Sequence, residues 1–83
     1  MAPAHESPCQ MMRRLAKAQG AEIGRTEKRI DELRKKIGDL QAQPVPDAAA
    51  IAALRQAAES LEKKLEDDRL SLSTLEDVIT ENC

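Results

Sequence analysis

The sequence predicts an all-α fold: an antiparallel two-helix coiled-coil hairpin. Three observations carry this prediction. Hydrophobic residues recur every three or four positions along two segments, a pair of prolines separates the segments, and the composition is rich in Ala, Glu, Lys, Leu and Arg without any Phe, Tyr or Trp. Such spacing in such a composition is typical of coiled coils and not of β-strands. A two-helix unit leaves much apolar surface uncovered, so dimerisation into a four-helix bundle is favoured, with a lone monomer as the alternative.

Length, charge and hydropathy narrow the class of protein. A chain of 83 residues allows one small domain with a limited core. The net charge of −2 argues against a dedicated nucleic-acid binder. The longest apolar run, residues 48–54, is far too short for a membrane span, and no signal-peptide pattern occurs. We therefore expect a cytoplasmic protein without a membrane partner.

The first helix is predicted to span residues 8–43. Ser7 offers an N-cap oxygen, Pro8 suits the first helical position, and Gln10 completes a capping box. Residues 1–6 precede this cap and are predicted to form a disordered tail. The core positions alternate by four and three residues and are Met12, Ala16, Gln19, Ile23, Thr26, Ile30, Leu33, Ile37 and Leu40.

A turn at residues 43–47 is predicted to connect the helices. Pro44 and Pro46 cannot continue a helix and restrict the residues before them. Asp47 then offers an N-cap for a second helix over residues 47–82, and residues 7–83 form one helical domain. The core positions of the second helix are Ile51, Leu54, Ala58, Leu61, Leu65, Asp68, Leu72, Leu75 and Ile79.

The register of the two helices follows from simple arithmetic. When a chain doubles back at a turn, the numbers of facing residues have a constant sum. Every pair of core positions sums to 91, from Leu40 with Ile51 near the turn to Met12 with Ile79 at the opposite, open end. The seam between the helices therefore continues without a slip along the whole predicted hairpin.

The charges flanking the seam agree only partly with this register, since Arg29 is predicted to lie near Lys64, a pair of like charges. Residues 8–43 carry nine Lys or Arg and five Asp or Glu, a net charge of +4, whereas residues 47–83 carry four and nine, a net charge of −5. Oppositely charged halves favour side-by-side packing. Leu15 and Val78 are predicted to close over the open end. The predicted cross-helix ion pairs are Arg34–Glu62 and Glu27–Arg69.

Polar residues weaken the middle of the seam. Gln19, Thr26 and Asp68 occupy core positions there. Because an unpaired buried carboxylate is costly, we expect Asp68 to turn outward towards solvent, Lys64 or Arg69. The alternative is that Asp68 sets the register or receives a basic partner.

A partner surface is predicted on the second helix. Leu70 lies on its outer face, and an alanine-rich stretch follows the turn. Small side chains let helices approach closely, so these residues are candidates for packing on another hairpin. The helix is expected to continue through residues 71–74, although serine and threonine are concentrated there; the alternative is a break of the helix at this stretch. The interaction candidates are Leu70, Ala49, Ala53, Ala57 and Asp68.

The hairpin brings the two cysteines together at its open end. Cys9 lies three residues before Met12, at the spacing of the core pattern. Its facing residue by the sum of 91 is Asn82, and Cys83 is the next residue in the chain. An internal disulfide is the favoured arrangement. The alternatives are a redox-sensing thiol, since a helix N-terminus makes Cys9 more reactive, or an intermolecular disulfide. Two thiols without a nearby histidine do not form a structural zinc site, which needs four ligands.

No pattern in the chain predicts catalysis. Gly-rich phosphate loops and Cys-x-x-Cys pairs are missing, and the single histidine, His5, lies in the tail. We expect no cofactor, metal or small-molecule substrate. The leading expectation is a non-enzymatic protein-protein interaction or assembly module; the alternative is a thiol-responsive switch built on Cys9 and Cys83. Arg14, Lys28 and Lys35 form a basic stripe whose weaker functional interpretation is a nucleic-acid-associated arm.

Overall fold

The computed structural model describes residues 6–83, which form two α-helices packed against each other. Helix α1 spans Pro8–Gln41 and helix α2 spans Ala48–Asn82, and no strand occurs within residues 6–83. The all-α prediction is confirmed. The predicted tail falls largely on residues 1–5, including His5, which lie outside the described residues.

The beginning of α1 has the predicted capping box. The Ser7 Oγ accepts a hydrogen bond from the backbone N–H of Gln10 at 3.1 Å, and the Gln10 Oε1 accepts one from the backbone N–H of Ser7 at 2.9 Å. These bonds satisfy two N–H groups that the helix itself leaves unpaired. Helix α1 ends at Gln41, two residues before the predicted end. The Gln43 N–H bonds to the Leu40 carbonyl at 3.3 Å in a tighter turn, because the approaching proline disfavours helical backbone.

Asp47 is the N-cap of α2 as predicted, and the helix runs from Ala48 without a break. The Asp47 Oδ1 accepts a hydrogen bond from the Ala50 N–H at 3.0 Å. The helix continues through residues 71–74 to Asn82. There the Thr74 hydroxyl donates to the Leu70 carbonyl at 3.0 Å, one turn earlier in the same helix. This bond gives the hydroxyl a partner inside the helix, and its slight destabilising effect does not interrupt the helix here.

The seam between the helices contains the predicted core. Every predicted core position is buried or half-buried. The central cluster consists of Ile23, Ile30 and Leu65, with Leu61 and Leu72 packed against it. Thr26 is also buried, and its hydroxyl donates to the carbonyl of Glu22 at 3.1 Å, so burial leaves no unpaired polar atom on this side chain.

The helix pair is long and one layer thick. Its extents are 60 × 25 × 14 Å, and its radius of gyration is 18.3 Å. A compact chain of the same length has a radius of gyration of about 12 Å. Each helix therefore uses one stripe for the seam and exposes the rest of its circumference.

Candidate interaction surface

The two cysteines lie together where α1 begins and α2 ends. Their Cα atoms are 6.0 Å apart, the sulfurs are at disulfide-bonding distance, and neither is a free thiol. This spacing is within the normal range for a disulfide. Cys9 belongs to the first turn of α1 and Cys83 caps α2. We call the end of the helix pair that contains this bridge the open end.

A further contact secures the same end and was missed in the sequence. Two nitrogens of Arg14 donate to the two carboxylate oxygens of Glu6, at 2.8 and 3.2 Å. The hydrogen bond from Arg14 lowers the pKa of Glu6. The sequence prediction places Glu6 in the disordered tail. Its position as an acidic residue directly before the N-cap Ser7 is the feature that could have indicated this contact. Because Arg14 is paired, the basic stripe has less free charge than its composition suggests.

One edge of the seam carries both predicted ion pairs. The Arg34 guanidinium bonds to Glu62, and the Arg69 Nη2 lies 3.5 Å from Glu27 Oε2. Both predictions are confirmed. We call this side the arginine edge. It contains an open groove of about 550 Å³, whose lining residues are Glu27, Ile30, Asp31, Glu62, Leu65, Glu66 and Arg69.

The opposite edge is centred on Glu22 and Lys64, and we call it the lysine edge. Glu22 precedes the core residue Ile23, whereas Glu27 follows Thr26, so the two glutamates flank the seam on opposite sides. Lys64 Nζ lies 3.5 Å from Glu22 Oε1 and 2.7 Å from an Asp68 oxygen.

Hydrogen bonds shift the acidity of both groups on the lysine edge. The bond from Arg25, with the nearby charges of Arg25 and Lys64, lowers the pKa of Glu22. The hydrogen bond to Asp68 raises the pKa of Lys64. Of the two ion pairs that Lys64 forms, only Lys64–Glu22 joins the two helices, and because both of its side chains are exposed it contributes little to stability.

The lysine edge becomes apolar towards the open end. Leu15 lies seven residues before Glu22 and Val78 lies fourteen after Lys64, so both repeat the same helical positions two and four turns further along. Leu15 is 45% exposed, Val78 38% and the neighbouring Met11 43%. The predicted closure of Leu15 and Val78 over the open end is therefore incomplete. Met11 was not singled out in the sequence because it lies one residue outside the core pattern.

The predicted interaction candidates do not form one patch. Ala49, Ala53 and Ala57 are all exposed and, at a spacing of four, form a ridge near the turn. Leu70 is 69% exposed but lies thirteen residues beyond Ala57, about 20 Å along the helix. The fifth candidate, Asp68, faces the lysine edge and bonds to Lys64 at 2.7 Å.

Asp68 also anchors the seam through its backbone. Its side chain is half-buried, and its carbonyl accepts a hydrogen bond from Gln19 Nε2 at 3.1 Å. Gln19 thus has a hydrogen-bond partner across the helices, and the Asp68 carboxylate is paired with Lys64, so no unpaired carboxylate is buried. This arrangement matches the expected outward turn of Asp68 towards Lys64.

Within residues 6–83, no group of three or more His, Cys, Asp or Glu side chains is placed to hold a metal ion. Neither of the two described helices has an apolar stretch long enough to cross a membrane. Comparison with protein-family models, curated proteins and solved structures finds no match to this chain.

Proposed function

We propose that this chain is a non-enzymatic interaction module. In this proposal it is an antiparallel coiled-coil hairpin that acts by packing the outer faces of its helices against another helical surface. A second copy of the chain is the first partner, and the assembly is a four-helix bundle.

The amount of uncovered surface carries this proposal. The accessible surface is 6300 Å² for a chain of 9.1 kDa. A compact monomer of this mass exposes about 4900 Å², so the excess is about 1400 Å². A typical stable interface removes about 800 Å² from each partner. The helix pair therefore exposes enough extra surface to supply one such interface.

The exposed apolar side chains support the same proposal. Met11, Leu15, Val78 and Leu70 are large, exposed and carried on helices whose backbone is already ordered. Binding through a preformed helix avoids the entropic cost of ordering a flexible segment. Charged residues around these positions would set the orientation of a partner.

Light scattering after size exclusion tests the proposal. We expect a mass of two chains at concentrations near the millimolar range, and dissociation upon dilution. Samples with and without reductant separate a noncovalent dimer from one joined by intermolecular disulfides. A monomer at every concentration in both redox conditions would contradict self-association.

The second candidate function is a thiol-responsive switch, favoured by the bridge between Cys9 and Cys83. A dithiol reductant would transfer two electrons and two protons to this disulfide, leaving two protein thiols and an oxidised, disulfide form of the reductant. The seam near the bridge is weak, since Ala16, Gln19 and Asp68 contribute little apolar area. Reduction would then let residues 9–26 and 65–83 separate.

Thiol titration distinguishes the switch from a permanent clamp. We expect no titratable thiol in the oxidised protein and two thiols after treatment with a physiological dithiol reductant. Hydrogen exchange of the amides of residues 9–26 should accelerate in parallel. A bridge that resists such reductants, or reduction without faster exchange, would exclude the switch.

A further inference from the structure

The lysine edge combines exposed apolar residues with a distinct pattern of charge. We propose that a second copy packs on this edge with its open end beside the first open end. The two-fold axis then lies parallel to the helices, and each α1 lies over the α2 of the second copy. This inference rests on the proposed self-association and assigns its surface and orientation.

The apolar residues suit this orientation. Leu15 and Val78 flank the seam at nearly the same height, because their numbers sum to 93 against the seam value of 91. Rotation about an axis parallel to the helices places Leu15 over Val78 of the second copy. By the same symmetry Val78 lies over Leu15 of the second copy. Met11 adds to the same cluster. Four half-exposed side chains from Leu15 and Val78 would thus cover one another at the open end.

The charges of whole helices select the same orientation. Helix α1 carries nine Lys or Arg against five Asp or Glu, a net charge of +4, and helix α2 carries four against eight, a net charge of −4. With open ends together, each helix of the bundle has oppositely charged neighbours on both sides. In a head-to-tail dimer α1 would lie over α1 and α2 over α2, which places like charges together.

Individual side chains on this edge repeat the pattern. Arg25 and Asp67 have numbers that sum to 92, so they lie at one height on the exposed flanks of α1 and α2. In the proposed dimer Arg25 lies over Asp67 of the second copy. Glu22 and Lys64 have numbers that sum to 86, so they are offset by about 7.5 Å along the helices, and Arg29, whose number sums with that of Lys64 to 93, lies over Lys64 of the second copy. Opposite charges thus meet at Arg25 and Asp67, whereas Arg29 and Lys64 make one like-charge contact that the attraction between whole helices outweighs.

A matched pair of variants tests the surface. Leu15→Lys places a charge within the proposed interface, whereas Leu70→Lys makes the same change at a more exposed leucine on the outer stripe of α2. Each substitution occurs twice in a dimer. We expect Leu15→Lys to weaken dimerisation at least about 100-fold and Leu70→Lys to change it less than about threefold. Circular dichroism melting identifies any loss of the helical fold.

A charge exchange tests the register of the dimer. Arg25→Asp and Asp67→Arg should each weaken dimerisation, by about 3- to 10-fold for exposed pairs repeated by symmetry. Combined in one chain, they should restore most of the affinity, because the pair is re-formed with its charges reversed. A double variant that dimerises more weakly than both single variants would contradict the proposed pairing.

A distance measurement tests the orientation. Val45 is 85% exposed in the turn, so Val45→Cys can be spin-labelled without reductant while the Cys9–Cys83 bridge stays closed. With open ends together the turns are also adjacent, and electron-spin distances should be below about 30 Å. In a head-to-tail dimer the turns lie at opposite ends, and the single chain already extends 60 Å along its longest axis.

The outcomes separate this inference from the proposed function. A dimer with distant turns, or one that is weakened by Leu70→Lys and not by Leu15→Lys, overturns the inference and leaves self-association standing. A labelled protein that is monomeric at every concentration overturns both. Close turns together with selective weakening by Leu15→Lys support the proposed dimer.

Discussion

Replacing Cys9 and Cys83 by serine should greatly destabilise the helix pair. The bridge joins residues separated by 74 positions, nearly the whole chain. For a loop of this length, the chain-entropy relation gives an upper limit of about 4.5 kcal/mol for the stabilisation of the folded state. Disulfides typically contribute about 2–4 kcal/mol, so we expect the free energy of unfolding to fall by about 2–4.5 kcal/mol in the double variant.

The same figures give the expected shift of the melting temperature. A chain of 83 residues has an unfolding entropy of about 0.17 kcal/mol per kelvin near its midpoint. The melting temperature of Cys9→Ser/Cys83→Ser should therefore lie about 12–26 °C below that of the oxidised protein. Reduction of the native protein should produce a shift of the same size.

The assay is thermal unfolding followed by far-ultraviolet circular dichroism at one protein concentration, because self-association makes the midpoint depend on concentration. Three samples are compared: oxidised protein, reduced protein and the double serine variant. Hydrogen exchange locates the loss: the amides of residues 30–61 should accelerate by the change in global stability, and those of the open end should accelerate further because the helix ends can also separate locally. If the melting temperatures of the reduced protein and of the serine variant both lay within about 3 °C of that of the oxidised protein, the reasoning would be refuted. The bridge would then not restrict the unfolded chain.

Three further perturbations follow from the seam and its edges. Gly24→Ala should raise the free energy of unfolding by about 0.5–1 kcal/mol, because an added Cβ meets nothing within 4 Å; a lower denaturation midpoint would show that another helix packs against this glycine. Asp68→Leu should raise the melting temperature by extending the apolar seam at the cost of one exposed ion pair, and a clear fall would show that its carboxylate has an essential partner. The lowered pKa of Glu22 means that its ionised form stabilises the folded chain above the unfolded pKa, and this contribution is lost as pH falls through the folded pKa. Stability should thus fall as the pH drops below the ordinary glutamate pKa of 4.5, less steeply in Glu22→Gln, and equal slopes would contradict a role for this carboxylate.

The main elements of the fold follow from local rules. The capping box at Ser7, the N-cap at Asp47 and the interruption at Pro44 each depend on a few neighbouring residues, and the structure shows all three. The core positions follow from hydrophobic periodicity, which a helix converts directly into a buried stripe. The ion pair between Arg34 and Glu62 follows from the register together with the direction in which helical side chains lean.

Parts of the candidate surface were not predictable at this level. Glu6 was assigned to the tail, yet it holds Arg14 through two hydrogen bonds. The hydrophobic spacing also does not mark Met11, which lies one residue outside the core pattern and is 43% exposed. Periodicity assigns residues to stripes, but it does not say how far a half-exposed side chain folds over the seam.

The sequence alone determined where two helices begin and end and which stripe of each is buried, because caps, prolines and apolar spacing act over one or two turns. Only the tertiary structure decided which polar groups satisfy one another. Gln19 donates a hydrogen bond to the backbone carbonyl of Asp68. Lys64 forms ion pairs with both Glu22 and the Asp68 carboxylate. Several partners lie within reach of each long side chain, and the choice among them depends on the packing of both helices at once.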